Sequence, residues 1–125
     1  MKFVSMAARL LLGLIFVVFG LNIFLNFFNA GPLPGGLAGQ YIIALAQSHI
    51  LQVVGALQLV GGVLLLINRY VPLALVLLGP IVVNILLYHL LLNLTGLSLA
   101  IVVTVLWFIV FFAYKRFFSG IFAQK

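Results

Sequence analysis

The sequence predicts an all-α membrane protein, an antiparallel bundle of four transmembrane helices, and three observations carry that prediction. The 125 residues include no Asp or Glu, 67% of them are hydrophobic, and the six Lys and Arg residues fall at the ends of long apolar runs. A water-soluble domain with so few charges would expose apolar patches far beyond what a monomer carries. A hydrocarbon core about 30 Å thick needs roughly 20 apolar residues per helical span. The chain has room for four such runs between its polar breaks. A spanning barrel would show short alternating segments instead of continuous Leu, Val and Ile.

The first span is expected over about 6–28. Lys2 and Arg9 resemble the positive start of a secretory signal, but the apolar stretch is longer than the usual core of about 7 to 15 residues. Asn29, Ala30, Gly31 and Pro32 offer no small-x-small cleavage pattern, so a retained anchor is expected. Gly31, Pro32, Pro34, Gly35, Gly36 and Gly39 break helicity and predict an irregular loop. The second span covers about 47–67, preceded by an interfacial turn at 40–46, and stops at Asn68, Arg69 and Tyr70. Pro72 suits the first turn of the third span, 72–92, where a missing amide proton matters least. Pro80 inside that span predicts a kink or loosened turn just before it. A short turn over Asn93 to Gly96 leads into the fourth span, 98–114.

Charge sets the expected orientation. With four spans, the amino terminus, the loop at Arg69 and the carboxyl terminus share one side, which holds Lys2, Arg9, Arg69, Lys115, Arg116 and Lys125. The other two loops hold no charge, so the positive-inside rule predicts cytoplasmic termini. Cations beside membrane spans meet anionic head groups, with Lys115 and Arg116 the best placed, and nucleic acid is not an expected partner. Tyr70, Trp107, Tyr114, Phe117 and Phe118 are the expected aromatic anchors, with Trp107 deep for a belt residue.

Several chemistries are excluded at this point. Without cysteine there is no disulfide framework, thiolate metal site or redox dithiol. Without side-chain carboxylates there is no intramembrane acid relay. Ser48 beside His49 is no catalytic pair, because helical neighbours point about 100° apart and no acid orients the imidazole.

Polar residues inside the spans are the remaining candidates. Gln58 lies twelve residues before Tyr70 and Asn84 fourteen after it, both at ~20 Å by helical rise. Asn22 and Thr104 fall within about two turns of that level. Such a layer either fixes register through interhelical hydrogen bonds of about 0.6 kcal/mol, or forms a polar pocket for the head of a lipophilic ligand such as a quinone, or lines a permeation path. Gly13 and Gly20, with Gly55 and Gly62 around Gln58, predict close backbone packing. Arg9 shares the glycine face and has no acid for a counterion. Its partner is then lipid phosphate reached by snorkelling, helix carbonyls, a bound anionic ligand or the acid of a membrane-protein partner. His49 and His89 are the only metal-capable side chains, both ~30 Å from Tyr70. They are candidates to ligate a haem, or boundary residues bonded to backbone and solvent.

The run from Arg9 to Phe16, with Gly20, Leu21 and Asn22, resembles the opening of DoxX-family membrane proteins. Gly55 to Gly62 is similar to that family's second-helix motif, and Arg69 to Ala74 with Pro80, Asn84 and His89 to its third. Gln58 stands where the family usually carries Glu, and Ile23 where Lys often follows the asparagine, so an intramembrane ion pair is lost. The resemblance implies a four-helix bundle in the bacterial inner membrane. It further implies a non-catalytic accessory or ligand-binding subunit near quinone-linked redox chemistry, with Arg9, Asn22, Gln58 and Asn84 shaping the pocket. The alternative is a purely structural or designed bundle with no ligand.

Overall fold

The computed structural model describes residues 2–25 and 34–122, and all regular structure in them is helical. Helix α1 spans Lys2–Leu25, α2 Gly36–Gln47, α3 Ile50–Ile67, α4 Val71–Leu91 and α5 Leu97–Ala113, followed by a 3-10 segment at Lys115–Phe122. Helices α1, α3 and α4 are long and apolar enough to cross a bilayer, and α5 is a shorter apolar helix of 17 residues. Residues 26–28 of the expected first span, the loop residues Asn29 to Pro32 and Lys125 lie outside the described residues.

The predicted loop is the largest departure. Gly36 and Gly39, read as breakers, stand inside α2, a helix of 12 residues where only an interfacial turn was expected. Gly36 opens it with φ of 66°, and Gly39 is buried where a Cβ would overlap the Pro34 carbonyl. These glycines permit a tight helix start instead of preventing a helix. Ser48 and His49 separate α2 from α3, with His49 left-handed at φ 67°.

Helix α1 packs on α3, α3 on α4, α4 on α5 and α5 back on α1, while α2 rests on α3 outside this ring. The α1–α3 seam is the closest, as the glycine spacing predicts. A Cβ on Gly13 would lie 2.9 Å from the Gly62 carbonyl oxygen, and one on Gly20 would lie 3.0 Å from that of Gly55. The two backbones therefore run antiparallel in near contact. Gly61 in turn admits the Leu78 side chain from α4. The core cluster draws Leu12 and Phe16 from α1, Leu65 from α3, Leu75 and Leu78 from α4 and Val110 from α5.

The turn from α3 to α4 is built from left-handed residues. Asn68 (φ 57°) lets the Asn68 amide donate to Leu65 and the Arg69 amide to Leu64, the Schellman closure of a helix end. Tyr70 (φ 53°) then turns the chain into α4, where Pro72 sits in the first turn and the helix continues through Pro80. Tyr114 at the end of α5 donates to Asn68 at 2.9 Å, so the ends of α3 and α5 meet at one pole.

The expected aromatic anchors divide. Tyr70 and Phe117 are exposed, but Phe118 is buried against Phe111, with ring centroids 5.0 Å apart. Trp107 lies between helices, donating to the Leu75 carbonyl at 3.2 Å and stacking on Phe111. Gly79 leaves room for the indole, whose ring would sit 3.5 Å from a Cβ there. Phe118 and Trp107 thus pack against neighbouring side chains and helices.

Candidate functional site: a divided cavity at Gln58

Helix α3 carries Gln58 on the seam with Gly55 and Gly62. Because those glycines draw α1 onto α3, the amide between them is enclosed, with only 7% of its surface exposed. Its Oε1 has no hydrogen-bond partner. An orphaned buried acceptor costs about 1–3 kcal/mol, so this position is destabilising as it stands.

Two cavities meet at this residue. The first, about 390 Å³, lies between α2, α3 and α4, and the second, about 340 Å³, between α1, α3, α4 and α5. Gln58, Ile85 and His89 line both. Tyr41, Asn84 and Tyr88 are the other polar side chains of the first, and Asn22 that of the second. Each volume suits a small organic molecule or its head group. Among the described residues, none that lines either cavity is Lys or Arg, so a charged occupant would have no counter-charge there.

The predicted amide layer does not close as one inner band. Asn84 is exposed, on the α4 stripe that also shows Val83 and Leu87 outward. Depth counts rise along the axis, whereas facing follows the helical phase, and the two amides share only depth. Asn84 is instead met from outside by Tyr41 of α2. The Tyr41 hydroxyl donates to Asn84 Oδ1 at 2.9 Å and accepts from Nδ2 at 2.6 Å. Thr104 turns away as well, donating to the Ala100 carbonyl of its own helix at 2.8 Å. It lines a separate apolar groove of about 550 Å³ between α4 and α5, beside Trp107.

Arg9 is not on the cavity wall. Its guanidinium Nη1 donates to the Leu65 carbonyl and lies 3.5 Å from that of Leu66. Those are carbonyls of the last turn of α3, where unpaired acceptors and the negative end of the helix dipole favour a cation. Of the partners open to it from sequence, helix carbonyls are the ones it meets.

His49 and His89 also separate. His49 is exposed at the α2–α3 junction, whereas His89 reaches both cavities. His89 Nδ1 faces the Ile85 carbonyl at 2.9 Å, an acceptor to which the ring donates from Nδ1. Gly96, left-handed at φ 87°, has no side chain to displace that ring, since a Cβ would come 3.0 Å from Nε2. No group of three or more metal-capable side chains forms among the described residues.

No family model, curated protein or solved structure matches the chain.

Tyr41 and Tyr88 are site residues that sequence reading passed over. Tyr41 and Tyr88 stack with centroids 5.6 Å apart, and Gln52, outside the lining of both cavities, carries a second buried Oε1 without a partner. Tyr41 lay in the presumed turn. Its signal was the helical spacing of Leu37, Tyr41 and Leu45, the last two of which line the first cavity.

Proposed function

We propose that this chain is a DoxX-like integral membrane protein of four antiparallel spans that holds the uncharged head of a lipophilic molecule beside Gln58. It acts as a non-catalytic accessory or ligand-binding subunit near quinone-linked redox chemistry. The supporting observation is the enclosed Gln58 amide, whose acceptor lacks a partner at the junction of two uncharged cavities. In this reading Asn22, Gln58, Asn84 and His89 form the polar wall, and Arg9 stabilises the bundle without touching the ligand. The cationic pole faces the cytoplasm of a bacterial inner membrane, with both termini on that side and Lys115 and Arg116 against anionic lipid.

A short-tailed quinol, whose hydroxyl can donate to Gln58 Oε1, should raise the melting temperature of the detergent-solubilised protein more than the matching quinone, which has no donor. Gln58→Leu should abolish that rise. Absence of any shift with either compound defeats the reading.

The alternative is a structural bundle with no ligand, which draws support from the internal pairing of Asn84 and Thr104. In such a bundle Gln58 should fix helix register, and Gln58→Leu should lower stability without changing any ligand response.

A further inference from the structure

We infer that the first cavity is a site for a hydroxyarene, an uncharged phenol carrying an apolar tail, and that Tyr41 occupies its place until one binds. The inference rests on the ligand-binding reading above and names its ligand class. The observation behind it is that the cavity already contains such a head group. The Tyr41 phenol donates one hydrogen bond to Asn84 and accepts another, at 2.9 and 2.6 Å. Its ring stacks on Tyr88 at 5.6 Å with an interplanar angle of 28°. Tyr88 is braced edge-on by His89 at 5.0 Å. One amide therefore satisfies both hydrogen-bonding functions of a phenol, against a fixed aromatic wall.

Helix α2 is suited to release that group. Its fully buried residues are the small Ala38 and Gly39, and Ile42 and Leu45 are only half-buried, so no fully buried large side chain locks it in place. It is joined at Gly36 and His49, both left-handed, where a change of direction is local. The Tyr41–Asn84 pair is thus a principal tie between α2 and the ring of helices. Gln58, whose Oε1 lacks a donor, lines the same cavity. A hydroxyl suits that acceptor, and a ketone or methyl ether does not.

The test compares a para-alkylphenol with its methyl ether of equal chain length, measured by thermal shift and isothermal titration on the full chain in detergent. The phenol should bind the natural protein, and the ether should bind at least tenfold more weakly. Tyr41→Phe removes the competing hydroxyl and frees Asn84, so phenol affinity should rise about fivefold, the worth of one neutral hydrogen bond. Asn84→Leu should weaken the preference for phenol over ether. Because the natural chain has no cysteine, Ala38→Cys provides an independent readout. Maleimide should label it slowly at rest and faster once the phenol is added. Equal binding of phenol and ether, with no gain in Tyr41→Phe and no change in labelling, overturns the inference while leaving a lipophile site in place. Failure of phenol, ether, quinone and quinol alike overturns the ligand-binding reading beneath it as well.

Discussion

Gln58 and Arg9 show how the same deficit, a polar group in apolar surroundings, has opposite energetic signs according to its partners. Gln58 is buried with an unmatched Oε1, so replacing it by an apolar residue of similar length removes a penalty of about 1–3 kcal/mol. Gln58→Leu should therefore leave the unliganded protein as stable or more stable in a denaturant titration, and a marked loss of stability would contradict this account. Arg9 is satisfied by the last carbonyls of α3, and a charged hydrogen bond of that kind contributes about 1.5–3 kcal/mol. Arg9→Leu should lower the unfolding free energy by roughly that amount, and Arg9→Lys should retain part of it through charge at the helix end. Equal stability of Arg9→Leu and the natural chain would show the contact to be dispensable. The lack of a counterion for Arg9 was legible in the composition, whereas the carbonyl partner was not, because it depends on α1 meeting the final turn of α3.

At the scale of the helices, glycine spacing is the strongest specification in the chain. Gly13 faces the Gly62 carbonyl and Gly20 that of Gly55, so any side chain larger than hydrogen must push two backbones apart. Gly62→Leu should cost about 1–3 kcal/mol as overpacking, read as a lower unfolding midpoint. Gly120→Ala, with nothing near its added carbon, should leave the midpoint unchanged. Asn68 to Tyr70, Pro72 and Gly96 punctuate long apolar runs, and α3 ends, and α4 and α5 begin, at or beside those residues. Helix α2 was hidden because its glycines read as breaks, although Gly36 is used for its left-handed start and Gly39 for its approach to Pro34. Facing was likewise hidden in α4, which is so uniformly apolar that Asn84 could be assigned a depth but not a side.

For the whole molecule, the test of topology is chemical labelling. Since the natural chain lacks cysteine, single cysteines introduced beside Arg69 and beside Lys115 should react with an impermeant reagent from the same side of the membrane. One placed at Gly96 should react from the other, and any other pattern rejects the proposed arrangement. Lys2, Arg9, Arg69, Lys115 and Arg116 gather at the pole where α1 begins and where α3 and α5 end, as the Arg9–Leu65 and Tyr114–Asn68 contacts establish. No acidic side chain offsets them anywhere in the sequence. Such a molecule is electrically lopsided. An energised membrane, negative within, exerts about 2.3 kcal/mol on each elementary charge carried across 100 mV. In the orientation proposed above, inverting the protein would move every one of these cations against that field, so the membrane potential would help keep it the right way up.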